Sequence, residues 1–259
     1  MISEYHRPET LEKALELLGR KSPNTIPLGG GTAFPHNLAE KLAVVDLQGL
    51  GMNQIRHEGA FISAGSMTKL QVLFEADDIP EALARSIQLE APLNRREIAT
   101  IGGTVIASEG RSLITTVLLA MDALLVWEPA NQQVSLGDWL ASRDGIRRGE
   151  IKPPGFILTA VKWSAKLTVS LHSVSRTPLD LPILCVAAAG WGSGRRRIAL
   201  GGFGRSAVLV IDGPEPGGAE QAVRAATNNA SDEWASAAYR QEIGWTLTKR
   251  CLFDLENGK

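Results

Sequence analysis

Apolar positions recur along the chain with two periods, and the points where the period changes mark the elements. Ile2 to Tyr5 reads as a short strand. Thr10 then stands as an N-cap ahead of Leu11, Ala14, Leu15 and Leu18, a spacing that lines one face of a helix, and Gly19 ends the run. Thr25-Ile26-Pro27-Leu28 leads into three consecutive glycines, Gly29 to Gly31. A short polar helix is predicted from His36 to Lys41, and Ala43 to Leu47 reads as a strand. Strand, glycine turn, helix and strand in that order make a βαβ unit, which implies parallel strands.

From Gln54 to Ala64 the pattern changes to a hairpin, QIRHEG followed by AFISAG. Helices are predicted over Thr68 to Phe74, Ile79 to Gln88 and Leu113 to Met121, and strands over Ala123 to Trp127 and Gly155 to Trp163. Around Lys166 the texture shifts. Leu167, Val169 and Leu171 alternate, Ile183 to Ala189 is a continuous apolar run, and Ile198 to Leu200 follows across a hairpin tip at Gly192-Ser193-Gly194. After the loop Pro214 to Gly218 the chain turns helical, and Ala235, Tyr239, Ile243, Leu247 and Cys251 form an i+4 staircase on one predicted face. The segment from residue 166 therefore reads as a second domain, a meander of three or four strands with C-terminal helices.

Composition narrows the function classes. Of 259 residues, 44% are apolar and 21% charged, which excludes disorder, collagen or coiled coil as descriptions of the whole chain. The net charge of -1 gives no overall footprint for nucleic acid or an anionic membrane. Cys185 and Cys251 are far apart, too few for a four-thiolate cluster, and read as buried free thiols. His6, His36, His57 and His172 lack metal-ligand spacing, so no metal site and no catalytic acid–base pair is expected. The N-terminus lacks the pattern of a signal peptide, and the longest apolar run, Leu113 to Trp127, carries Asp122 and is too short to span a bilayer. A cytoplasmic protein is the expectation.

Two glycine turns carry the candidate chemistry. In Pro27-Leu28-Gly29-Gly30-Gly31-Thr32-Ala33-Phe34, glycines between a strand and a helix let backbone N–H groups approach an anion, and the Thr32 hydroxyl is a further donor. Thr100-Ile101-Gly102-Gly103-Thr104 has the same character ahead of another helix. Two such turns suit the two phosphates of a dinucleotide; the alternative is that both merely connect elements. Gly202-Phe203-Gly204-Arg205-Ser206-Ala207 fits a dinucleotide fingerprint, but Val208 to Ile211 after it signals a strand where the fingerprint needs a helix, so it reads as a strand-end turn. Arg195 to Arg197 reads as a solvated sheet edge.

The order of these motifs resembles the FAD-binding (medium) subunit of molybdenum hydroxylases, the xanthine dehydrogenase and carbon monoxide dehydrogenase family. The likeness runs from Tyr5-His6-Arg7-Pro8-Glu9-Thr10-Leu11 through Gly30-Gly31-Thr32, Val45-Asp46-Leu47 and Ile62 to Thr68. It continues at Ala99-Thr100-Ile101-Gly102-Gly103-Thr104 and Leu119 to Ala123, then at Ser236-Ala237-Ala238-Tyr239-Arg240 and Lys249 to Leu252. It implies an α+β fold: a PCMH-type FAD-binding domain over 1–165, with subdomains of about 1–52 and 53–165, and a small sheet-plus-helices domain over 166–259. It also implies FAD held at both glycine turns, with Leu113, Leu158 and His172 at further family contact positions. The partners implied are a small subunit with two [2Fe–2S] clusters and a large molybdopterin subunit, with electrons relayed through FAD to NAD or another acceptor.

The chain departs from that pattern at four places. Ala33 stands where the family has Asp, Thr104 where it has Asn, Leu113 where an Asp bonds the FAD adenosine side, and His172 where a Lys lies near the flavin ring. A charge-assisted hydrogen bond is worth roughly 1.5–3 kcal/mol, so each loss weakens binding on the order of 10- to 100-fold. Two expectations follow: a redox-active FAD subunit, or a homologue with weak or lost FAD binding that serves as a structural subunit.

Overall fold

The computed structural model describes residues 2–34, 41–144, 157–178, 180–214 and 217–258. Its first layer is a three-stranded sheet of β1 (Ile2–His6), β2 (Thr25–Leu28) and β3 (Leu42–Asp46), in the order β1-β3-β2, with α1 (Leu11–Leu18) after β1. Both pairings are parallel, as the βαβ pattern requires. Thr10 caps α1 by accepting from the Lys13 N–H, and Gly19 closes it. β3 is buried along its whole length because it is central. There the Tyr5 hydroxyl donates to Asp46, so two of the sequence motifs meet in one contact. The helix predicted over 36–41 falls almost wholly outside the described residues.

The hairpin is formed by β4 (Ile55–Glu58) and β5 (Phe61–Gly65), and then come α2 (Leu70–Phe74), α3 (Glu81–Glu90), α4 (Leu93–Arg96), α5 (Ile101–Ala107) and α6 (Leu113–Ala120). β6 (Leu124–Glu128), β7 (Gln132–Ser135), α7 (Leu136–Asp144) and β8 (Ile157–Ser164) follow, and the strands pair in the order β4-β5-β8-β6-β7, every pair antiparallel. The sequence pattern gives no sign of α4, β7 or α7, which are short or weakly periodic.

The third sheet is a four-stranded antiparallel meander of β9 (Thr168–Val174), β10 (Leu184–Gly190), β11 (Arg196–Gly201) and β12 (Val208–Gly213), in the order β12-β11-β10-β9. The strand β12 directly after Gly202 to Ala207 makes that stretch a strand-to-strand turn. α8 (Ala219–Thr227) and α9 (Ala237–Glu256) follow. One face of β10 carries Cys185, Ala187 and Ala189 into a core shared with α3 and α6; the other carries Leu184, Val186 and Ala188 into a core with α8 and α9. Burial on both faces explains why this strand reads as an unbroken apolar run. α6, buried at every residue, packs against β10 and β11. Both thiols are free and buried, and burial pushes each up to about 12.

Two expectations are overturned. Arg195 to Arg197 is no solvated edge: β11 is an interior strand, and the Arg197 side chain is 5% exposed. Arg197 reaches Asp122 at 3.0 Å and Asp212 at 2.6 Å, and Arg195 reaches the same two acids. The staircase on α9 is rotated as well. Tyr239 is 44% exposed, and the buried face is Arg240, Gly244, Leu247, Thr248, Cys251 and Leu255. A strict spacing of four drifts off a 3.6-residue turn over five turns.

Arg240 is fully buried and pairs bidentately with Asp232 at 2.8 and 2.9 Å while donating to the carbonyls of Ile183, Ala230 and Ala235. Burial alone would raise the Asp232 carboxyl, but the bonds from Arg240 and from the N–H groups of Trp234 and Ala235 hold it below its ordinary value. A depressed carboxyl contributes stability that is present at neutral pH and is lost as pH falls through its folded value, below about 4. Arg240→Ala should destabilise the chain by on the order of 3 kcal/mol in urea unfolding, since it strips three carbonyls and an acid of their partner. A loss under about 1 kcal/mol would show that this network contributes little.

Candidate functional site

The first glycine turn leaves the edge strand β2. Pro27 pairs with Val45 and Leu28 with Asp46 in the ladder to β3; an edge strand tolerates Pro27, which has no N–H to donate. The chain then runs through Gly29 and Gly30 to the exposed residues Gly31, Thr32 and Ala33. Gly31 has φ +74°, a left-handed conformation, and its carbonyl accepts the Phe34 N–H at 3.2 Å. Among the described residues, the N–H groups of Gly30, Gly31, Thr32 and Ala33 meet no acceptor.

The second turn is built differently. Thr100 is the N-cap of α5 and accepts from Gly103 N–H at 3.1 Å, so Gly102 and Gly103 lie inside the helix's first turn. The Gly102 N–H donates to the Ser66 carbonyl and the Ile101 N–H to the Thr68 carbonyl, each at 2.9 Å; Thr104 N–H donates to Thr100. The backbone N–H groups from Ile101 to Thr104 thus all have partners inside the protein. What the turn offers a ligand is the exposed, Cβ-free surface of Gly103 and the half-buried Thr104 hydroxyl.

The two turns touch. A Cβ on Gly30 would stand 1.9 Å from the Ile98 carbonyl oxygen, and one on Gly29 would stand 3.1 Å from Thr100 Oγ1. A Cβ on Gly102 would stand 2.6 Å from Ser66 Cβ. Gly30 and Gly102 are therefore required by the close approach of protein backbone. That differs from the purpose the sequence suggests, a close approach of ligand, for which Gly31 and Gly103 leave room.

Three further predicted contacts lie elsewhere. Leu113 opens α6 at 2% exposure in the main core. The N-terminus of α6 is instead capped by Ser112 and by Glu90 from α3, which accepts the Ser112 hydroxyl at 3.0 Å and the Ile114 N–H at 2.8 Å. Burial pushes the Glu90 carboxyl above its ordinary range, against the pull of those donors. Leu158 is 6% exposed in the same core, next to Thr159, whose carbonyl accepts the Ser66 N–H. His172 points to the α9 side of its sheet, where its Nε2 lies 2.8 Å from Asp254, an acid that also accepts from Ser170. A surface hollow of about 350 Å³ there is lined by His172, Thr246, Lys249, Arg250, Phe253 and Asp254. No described contact joins His172 to either glycine turn. His6 and His57 likewise sit beside carboxylates, Glu4 and Asp78.

The resemblance runs through Ile62 to Thr68, but the sequence predicts no place for Ser66 and Thr68 at the second turn. Ser66 and Thr68 hold the first turn of α5 by their carbonyls, while their own buried hydroxyls have no partner among the described residues. No spacing rule reveals this, because the contact spans more than thirty residues. The first loop fits a phosphate-bearing group: consecutive N–H donors without acceptors among the described residues, an exposed hydroxyl and little side-chain bulk. Gly103 and Thr104 are the part of the second turn open to the same group.

Comparisons with known proteins identify the family. The family model described as "FAD binding domain in molybdopterin dehydrogenase" matches residues 1–162. The protein YgfM of Escherichia coli K12 is 30% identical over 99% of this chain and 97% of its own length. The carbon monoxide dehydrogenase medium chain of Afipia carboxidovorans is 31% identical over 109 residues, 39% of this chain and 38% of its own. Reconstituted CO dehydrogenase from Oligotropha carboxidovorans superposes with a TM-score of 0.80 at 21% identity, over 98% of this chain and 97% of that one, and so shows a shared fold. This chain belongs to the family of FAD-binding medium subunits of molybdenum hydroxylases.

Proposed function

We propose that the chain relays electrons within a molybdenum hydroxylase complex in the cytoplasm, taking them from the [2Fe–2S] clusters of a small subunit, which a molybdopterin large subunit supplies, and delivering them to NAD or another acceptor. The observation that carries this reading is the loop from Gly30 to the exposed Ala33, whose N–H groups meet no acceptor among the described residues and which packs against the start of α5. Bound there, FAD supplies the redox chemistry. The chain's own residues bind and orient: Gly30 to Ala33 donate to the pyrophosphate, Thr32 and Thr104 add hydroxyls, and Gly31 and Gly103 leave the approach clear. The iron–sulfur clusters belong on another polypeptide because Cys185 and Cys251 are buried on the two faces of one sheet. In this reading residues 1–165 are the cofactor-binding part, and 166–259 a smaller domain against it.

Two observations favour a second reading, a structural subunit with weak FAD binding. Leu113 is buried where the family resemblance implies an acid, and His172 is held by Asp254 on the far face of its sheet. Uptake of FAD separates the two.

Purified protein incubated with FAD should retain flavin through gel filtration, with its visible absorption band. Gly31→Val should weaken that binding at least about tenfold while costing only about 1–2 kcal/mol of stability, because the position is sterically open but left-handed. Gly30→Ala should lose both stability and FAD, because the added Cβ meets the Ile98 carbonyl. A wild type that never takes up flavin, alone or with its partners, would leave the structural reading.

Leu113→Asp should not restore tight FAD binding. It buries a second carboxylate beside Glu90 and should destabilise the fold by on the order of 3 kcal/mol in urea unfolding. A stable variant with tighter FAD binding would show that α6 can present an acid at that position.

Tagged and recovered from its native cells at mild salt, the chain should bring iron and molybdenum with it. Recovery without either metal would remove the relay.

A further inference from the structure

A second group of cations lies outside the glycine-turn site. Arg111, in the loop before α6, and Arg176, after β9, both lie over the ring of Trp234, with guanidinium carbons 4.4 and 4.2 Å from the ring centroid. Arg111 is fixed in place: its Nε donates to the Pro182 carbonyl at 3.0 Å and its Nη2 to the Leu181 carbonyl at 2.8 Å. Neutral carbonyls orient a guanidinium without cancelling its charge, and those two bonds use two of its five N–H donors. The acid closest to Arg176 is Asp180, 3.7 Å away, beyond hydrogen-bond length, and the Arg176 side chain is 59% exposed. Arg240, nearby, is fully matched by Asp232. Burial, with the like charges of Arg240 and Arg176, pushes the Arg111 pKa down.

We propose that Arg111 and Arg176 form a receptor for the phosphate or carboxylate group of a small anionic ligand. A guanidinium presents parallel N–H donors that match either group, and here Arg111 is held before any ligand arrives. The carbonyls of Leu181 and Pro182 set the plane of Arg111, and the Trp234 ring contacts both cations. Preorganisation of this kind lowers the ordering cost of binding. Arg176, the more exposed of the two, is free to turn toward the anion. The receptor uses no glycine-turn residue, so it stands apart from the flavin reading.

The test uses the full chain carrying Gly31→Val and without FAD, so that the loop after β2 does not compete for phosphate, at fixed ionic strength, titrated calorimetrically with inorganic phosphate, pyrophosphate and succinate. The expected result is saturable binding of at least one of them with Kd on the order of 1 mM or tighter. Arg111→Gln and Arg176→Gln, each added to that chain, should weaken it roughly tenfold or more. Preference for the phosphates or for succinate identifies the group recognised. Arg176→Gln changes an exposed side chain and keeps the test decisive if Arg111→Gln fails to fold. No saturable binding up to about 10 mM, or binding that survives Arg176→Gln, would overturn the receptor and leave the arginines as a staple between loops.

Discussion

The candidate site depends on two stretches of backbone meeting with no side chain between them. At Gly30 the loop after β2 lies against the carbonyl of Ile98, and at Gly102 the start of α5 lies against Ser66. Side chains at a contact can repack; backbone cannot, so the two turns have one relative position. Each stretch is also anchored to its own sheet. The first continues the parallel ladder of β2 and β3, and the second hangs by two hydrogen bonds on the segment that follows β5. The parallel and the five-stranded sheets therefore fix the site jointly. The first loop is held by close packing, and its N–H groups from Gly30 to Ala33 meet no acceptor among the described residues.

Much of this architecture was legible in the sequence, for an identifiable reason. Wherever one face is buried and the other wet, the period shows; wherever both faces are buried, as in β10, the run is continuous. The glycine turns were also visible, but their division of labour was not. Gly30 and Gly31 look alike as letters. One is required by a neighbouring carbonyl from a distant segment, at Ile98, the other by its own left-handed φ. The reach of Glu90 to α6 and of Asp254 to His172 is likewise set by tertiary packing, for which a linear pattern carries no signal.

The buried charges follow the same rule. Arg197 and Arg240 each sit in an apolar setting, where an isolated guanidinium would be costly. Each is met by acids or carbonyls from distant elements: Asp122 at the end of α6 and Asp212 on β12 for one, and Asp232 with three carbonyls for the other. Such pairs add little net stability over apolar packing, but only one arrangement satisfies them. Arg197, on the meander, reaches the turn between α6 and β6, so it fixes how the third sheet sits on the central helix. Asp122 accepts φ +55° to stand there.

The balance at the site then follows from which donors remain. The acid that the family resemblance implies at position 113 is absent, and α6 has turned inward, its N-terminal donors taken by Glu90 and Ser112. A leucine there forgoes one polar bond to a ligand, worth roughly 1.5–3 kcal/mol. The loop from Gly30 to Ala33 holds four N–H groups in the opposite condition, exposed and without acceptors among the described residues. A phosphate accepting even two of them makes charge-assisted bonds of comparable size each, which together outweigh the single bond that position 113 forgoes. In the proposed reading, the loop after β2 would therefore carry more of the ligand binding than the start of α6. The departures at Leu113 and His172 lie where the structure has closed on itself, and the free donors lie where it has stayed open.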